Sequence, residues 1–476
     1  MGRRVLLAAF GFVLACGART ALLPGGPGGS GGTSGGSSGG GATPLAVKCT
    51  AALLEGAPTP MQGYCPTQAN QASGNAPASP QIAWYVIPFG IDQPEDFLPA
   101  EIVVDPAGRA YVAIDASPLN PTGSPNQIIA IDPDGLVAWN TSFASTVSSL
   151  TLASDGRLWV MGLQGQASNP ACENDGGVTS AGACAAFLTA LSSSTGDVVA
   201  ELDVLVPQEP YASAVGYGTM ALAFDGSFFL GSASQDTPGG GVAHASVDGA
   251  LLWQWPELAQ DEGFQLLPPL LVGQDDGVVA LGNGEILRFD VGGNQLWQED
   301  LDAQTAAIDA QGDVVALTSP TGDDLALVTV DPTGLVVRTV ALGAPQVNAT
   351  QLALAGDGTT VLLLANEVAS PGLTKAAVQI LAIDTSGQTR WTTPLDVTLE
   401  YDPAALTTHY GLFVDGAGTV VVTAGAITGI DLSTGAILWT LQPPNAHACL
   451  RPAVLGAGGA ILASQCDGTV FLARDP

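Results

Sequence analysis

Apolar residues along most of this chain fall in short runs, some alternating with polar residues and some continuous, broken at regular intervals by Asp and Gly. Alternation and short apolar runs rich in Val and Ile predict strands, and no stretch reads convincingly at the 3.6-residue period of a helix. One motif recurs: a strand, a turn ending in Gly, and a strand often closing on Trp. Its copies are "IIAIDPDGLVAWN", "HASVDGALLWQW", "ILRFDVGGNQLWQ", "ILAIDTSGQTRWT" and "ITGIDLSTGAILWT". Two weaker copies, "LTALSSSTGDVVAEL" and "LVTVDPTGLVVRTV", carry Val in the Trp region.

A second motif precedes each copy, from "VVDPAGRAYVAI" through "LASDGRLWVMG" to "VDGAGTVVVTAG", with "VLGAGGAILAS" near the chain end. The turn chemistry has a mechanical basis: Asp bonds amides just ahead of it, and Gly accepts φ > 0. Asp132, Asp384 and Asp431 are turn formers on this reading. Each unit is strand A, tight turn, strand B, a variable connection, strand C, tight turn, strand D. Four antiparallel strands repeated about every 50 residues describe a propeller blade. The all-β fold expected is an eight-bladed β-propeller. The last unit has no strand D, and residues 82–89, "IAWYVIPF", supply it from the other end of the chain.

"AIDTSGQTRW" and "GIDLSTGAILW" resemble the repeat of pyrroloquinoline-quinone-type propellers, over roughly residues 82–476. That resemblance implies the propeller and leaves function open, because the superfamily holds quinoprotein dehydrogenases and also non-enzymatic lipoproteins such as the propeller subunit of the outer-membrane barrel-assembly machine.

The first 15 residues read as a secretory signal, Arg3 and Arg4 followed by "VLLAAFGFVLA". "VLAC" resembles a bacterial lipobox, with Cys16 the lipidated residue. Residues 16–44 are then a Gly/Ser-rich tether, twenty residues of which span roughly 25 Å. Residues 45–81 form a cysteine-containing extension. Gly17 follows the lipidated cysteine, and no Asp stands there to argue for inner-membrane retention. The address is an outer membrane, on its periplasmic side or at the cell surface.

Six further cysteines suit an oxidising compartment. They allow fifteen connectivities; neighbours in sequence pair as Cys49 with Cys65, Cys172 with Cys184, and Cys449 with Cys466. A formal charge of −32 repels phosphate backbones and excludes nucleic acid as a partner.

Long connections fall between strands B and C, which places insertions on one face, as on a binding face. Acidic residues gather there: Glu173 and Asp175, Glu257, Asp261 and Glu262, Asp275 and Asp276, Asp323 and Asp324, Glu400 and Asp402. Trp84, Trp139, Trp253, Trp297, Trp391 and Trp439 share a repeat position and pack between blades; Trp159 and Trp255 stand off it, Trp255 approaching a loop. His244, His409 and His447 lie in different blades with no metal-ligand spacing. No cofactor is expected, calcium and pyrroloquinoline quinone being the two left open. The leading expectation is a lipid-anchored scaffold that binds a protein through its loop face. An oxidoreductase working in the central channel is the rival.

Overall fold

The computed structural model describes residues 57, 70–72, 74–87, 97–116, 126–143, 146–163, 185–205, 219–232, 241–255, 266–282, 284–319, 324–343, 347, 349–370, 373–399, 410–445 and 449–476. Their strands form eight antiparallel sheets of four. Blade 1 is β2 (Phe97–Val104), β3 (Ala110–Ala116), β4 (Asn126–Ile131) and β5 (Val137–Phe143). Blade 2 is β6 (Thr146–Leu152), β7 (Arg157–Leu163), β8 (Ala185–Ser192) and β9 (Val198–Leu205). Blade 3 is β10 (Thr219–Leu222), β11 (Phe228–Ser232), β12 (Gly241–Ala245) and β13 (Leu251–Trp255). Blade 4 is β14 (Leu267–Val272), β15 (Val278–Leu281), β16 (Ile286–Phe289) and β17 (Gln295–Glu299).

Blade 5 is β18 (Ala303–Ile308), β19 (Val314–Thr318), β20 (Leu325–Val330) and β21 (Val336–Gly343). Blade 6 is β22 (Ala349–Leu354), β23 (Thr360–Ser370), β24 (Leu373–Ile383) and β25 (Thr389–Leu399). Blade 7 is β26 (Gly411–Val414), β27 (Thr419–Ala424), β28 (Ala426–Asp431) and β29 (Ile437–Leu441). Blade 8 takes β30 (Val454–Leu455), β31 (Ile461–Ser464) and β32 (Val470–Arg474) from the chain end and β1 (Gln81–Val86) from the other. The first strands of successive blades touch one another around the axis, so the chain is an eight-bladed β-propeller.

Seven blades run from inner to outer strand in chain order, and the eighth closes the ring by pairing β1 with β32, Gln81 opposite Arg474 and Val86 opposite Val470. Closure removes an open sheet edge. Asp475 adds to the seam by accepting from the amides of Ala78 and Ser79.

The turns show why the motif reads as it does. Asp331 Oδ1 accepts from the amides of Thr333 and Leu335 and from the Thr333 hydroxyl, while Gly334 at φ 91° closes the hairpin through its amide to the Asp331 carbonyl. A side chain at that φ is strained, so the glycine is required. Apolar residues on the blade faces fill the gaps between blades, for instance Trp159, Met161 and Leu188 of blade 2 against Met220, Leu222 and Phe228 of blade 3. Burial of these facing surfaces, at about 25 cal/mol per Å², holds neighbouring sheets together.

Residues 70–72 and 74–76 are stitched across the tight-turn side. Gln71 bridges Val414 at the end of the innermost strand of blade 7, and the Asn70 amide group donates to the Leu352 carbonyl of blade 6. Gly416 donates to the Gly74 carbonyl, and Asp415 Oδ2 accepts from Ala76 at 2.6 Å. This segment lies at the tight-turn end of the inner strands before the chain swings out to β1.

Candidate functional site

Most of the acidic residues expected on the binding face lie outside the described residues: Glu173, Asp175, Glu257, Asp261, Glu262, Asp323, Glu400 and Asp402. The same holds for Cys16, Cys49, Cys65, Cys172 and Cys184. Asp324 is described; it is exposed and stands just before the third strand of blade 5, on the loop face. Trp255 ends the outer strand of blade 3 and packs its ring 5.3 Å from Phe289. Cys449 and Cys466 form a disulfide that joins the start of blade 8 to its B–C turn.

Asp275 and Asp276 are corrected. They sit in the A–B turn of blade 4, between β14 and β15, on the opposite face from the long connections. Gly273 donates to the Gly277 carbonyl across that turn, with Asp276 at φ 58° where the other blades carry glycine. Asp275 pairs with the buried Arg288 at 2.8 Å. Among the described residues no group of three His, Cys, Asp or Glu could hold a metal ion. Arg109, Arg157, Arg288 and Arg390 are each paired with a nearby carboxylate.

The blade junctions follow one rule. The outer strand carries a residue that reaches over the next blade's C–D turn and donates to the carbonyl of its second residue. Trp84 Nε1 donates to Pro133 at 2.8 Å, Trp139 to Ser193 at 3.1 Å, and Trp253 to Val291 at 2.8 Å. Trp297 does the same to Pro332 at 3.1 Å and Trp391 to Leu432 at 2.6 Å. The indole lies against the turn glycine: a Cβ on Gly435 would fall 2.7 Å from Trp391. Interblade packing is thus the role of these tryptophans.

Three junctions differ: among the described residues Trp439 of blade 7 has a buried indole N–H with no acceptor, and blades 5 and 2 carry no Trp at this position. In blade 5 the residue in register is Arg338, opposite Thr329 as Trp139 is opposite Ala130. Its Nη1 donates to the Thr385 carbonyl at 2.8 Å, so a guanidinium replaces an indole. In blade 2 the residue in register is Ala200, opposite Ala190. Here Leu202, two residues further along the outer strand, lies against the turn glycine Gly249 in place of an indole, and it has no N–H to offer the Val247 carbonyl.

A cleft of about 260 Å³ opens at that junction. It is lined by the A–B turns of blades 2 and 3, including Asp155, Arg157, Phe224 and Asp225, with Val247 at the side and Trp159 and Phe228 at the base. Trp159 and Phe228 meet edge to face at 4.8 Å, and both are fully buried. The Arg157 guanidinium lies 4.9 Å over the Trp159 ring and is tied to Asp155 through Nε at 2.6 Å and Nη2 at 2.5 Å. Partial burial works to raise the Asp155 carboxyl, but Arg157 outweighs it and holds the group below its usual range.

Across the cleft Asp225 Oδ1 accepts from the Ser227 amide at 2.8 Å and hydroxyl at 2.5 Å. Burial works to raise Asp225 as well; the Ser227 bonds and the nearby His244 prevail and leave its carboxyl depressed. The Ser227 hydroxyl also meets His244 Nε2 at 2.6 Å, behind the cleft wall. His244 is stacked 4.3 Å from Phe229, and burial pushes its pKa down. Ser227 is itself buried, so this Asp–Ser–His chain fixes the turn rather than presenting a nucleophile. Sequence reading singled out Trp159 as off the repeat position; that Ala200 holds the Trp register in this blade required the strand pairing to see.

No protein-family model matches this chain, and no curated protein matches it. Among solved structures it is similar to a streptogramin B lyase, at 14% identity over 82% of this chain and 97% of that one, with a TM-score of 0.41. It is also similar to a protein of unknown function from Bacteroides caccae, at 13% identity over 54% of this chain and 90% of that one, TM-score 0.31.

Proposed function

We propose that this protein is a lipid-anchored, extracytoplasmic propeller that serves as a non-enzymatic protein-binding scaffold, held to a bacterial outer membrane through Cys16 and meeting its partner with the loop-bearing face. The observation that carries this reading is the course of residues 70–72 and 74–76. They lie against the tight-turn ends of blades 6 and 7, bonded through Asn70, Gln71 and Ala76. A tether leaving from that side turns the opposite face, with its long connections, away from the membrane. Ring closure through β1 and β32 makes the disc a stiff platform on which separated loops keep their spacing.

The test has two arms, both on the full chain made in a Gram-negative host. Cys16→Ser is expected to move the protein from the membrane to the soluble fraction; retention at the membrane would sink the anchor. Photo-crosslinking residues placed at Asp324 and Asp467 on the loop face, and at Asp134 and Ser433 on the tight-turn face, then report which side meets protein. Crosslinks confined to the tight-turn positions would overturn the loop-face assignment.

A further inference from the structure

The cleft between blades 2 and 3 has an internal template. At the same register position the other outer strands present Trp84, Trp139, Trp253, Trp297, Arg338, Trp391 or Trp439, and only blade 2 presents a methyl group. Six of the other seven place a planar N–H donor on a carbonyl of the next C–D turn, by way of indole or guanidinium. At the blade 2 junction Leu202 covers the turn glycine without supplying a donor, and a cleft lies beside Val247 of that turn.

We propose that this cleft is a docking slot for an arginine side chain supplied by a partner protein. Three features select a guanidinium over an indole. Arg157 is neutralised by Asp155, which leaves the Asp225 carboxylate as the uncompensated charge on the lining. Only Oδ1 of Asp225 is used by the turn, so Oδ2 is free to accept. The Arg338 junction shows that this geometry takes a guanidinium, which bonds a turn carbonyl at 2.8 Å. Phe224, Leu222 and Val247 give the aliphatic stem an apolar wall, and a planar donor suits both a carboxylate and an aromatic surface. The formal charge of −32 draws a cationic partner in. The slot opens on the tight-turn face and stands apart from the loop-face reading.

Isothermal titration of the purified chain with acetyl-Gly-Arg-Gly-amide tests it, alongside the citrulline, lysine and tryptophan counterparts at low salt. The arginine peptide is expected to bind at least fivefold more tightly than the citrulline peptide. Ala200→Trp, which restores the indole, is expected to abolish binding. Asp225→Asn keeps the oxygen that accepts from Ser227, so the turn folds, yet binding falls at least fivefold. A thermal melt of each variant confirms folding, and Asp225→Asn alone decides the matter if Ala200→Trp does not fold. No binding by the arginine peptide at millimolar concentration overturns the slot, as does equal binding of citrulline or unchanged binding by Asp225→Asn. Tighter binding of the tryptophan peptide overturns the guanidinium assignment.

Discussion

The junctions between blades 1 and 2 and between blades 2 and 3 are built from nearly the same parts and end differently. Both have an Arg after the A–B turn glycine, Arg109 and Arg157, and an aromatic residue two positions on, Tyr111 and Trp159. In the first, three donors converge on one carbonyl: Trp139 Nε1, Arg109 Nη1 and the Tyr111 hydroxyl each reach Ser193 at 3.1 Å. In the second the outer strand supplies no indole, Leu202 lies on the turn glycine instead, Arg157 folds back on Asp155, and the cleft remains. A single outer-strand position, Trp139 against Ala200, separates a sealed junction from an open one. Propeller repeats thus vary the surface one junction at a time, without altering the sheets.

The largest effect should come from breaking the sealed junction. Trp139→Ala removes a half-buried indole and the bond to Ser193, and is expected to cost about 3 kcal/mol in denaturant unfolding. A cost below about 1 kcal/mol would mean the two junctions do not differ in the way described. Arg338→Ala, at the guanidinium junction, should cost about 1.5–3 kcal/mol, the range for a hydrogen bond made by a charged group. The reverse experiment, Ala200→Trp, fills space and should raise stability by about 1 kcal/mol; destabilisation would show that the slot is not shaped for an indole.

The smallest effect concerns pH at the next junction. His244 is held neutral by burial, so its folded pKa lies below its unfolded value. The stability this contributes is whole above the unfolded pKa of about 6.5 and is lost as pH falls toward the folded value. The groups facing it are Asp225 and Asp276, with Asp225 linked through Ser227. His244→Gln is therefore expected to lessen the fall in melting temperature between pH 7.5 and pH 5. An identical fall in both proteins would remove His244 from the account.

Much of this was legible in the sequence, for a local reason. Each turn is specified by an Asp and a Gly a few residues apart, and each strand by its apolar run, so blade number and the donated strand, expected at residues 82–89 and found at Gln81–Val86, follow without any long-range information. Trp84 in that orphan strand carried the repeat position, and the structure places it on Pro133 as the rule requires. Asp275 and Asp276 were misplaced because a charged pair resembles a loop, while here it occupies an A–B turn with Asp276 in the left-handed region. Ala200 was hidden by Val198 and Val199 just before it, which read as the repeat's apolar residues, and by nothing local marking an alanine in the Trp register. Arg338 was hidden the same way, since nothing local marks a guanidinium as standing in for an indole. The course of residues 70–72 and 74–76 depends on contacts with residues some 340 positions away, such as Asp415 with Ala76, and no periodicity records these.

The seam in blade 8 sets an order on how the molecule comes into being. Gln81 finds its partner only at Arg474, so β1 is the first strand to be synthesised and pairs among the last. Bringing together ends separated by nearly the whole propeller costs about 5 kcal/mol in chain entropy. Until then the ring is an open arc with a bare edge at blade 8. Trp439 marks the place in the finished protein: its neighbour is the one blade whose C–D turn is divided between the two ends of the chain, and among the described residues its indole N–H is buried with no acceptor. A version of the chain with those ends joined and a new break elsewhere would give Trp439 its carbonyl and move the last step of assembly to another blade.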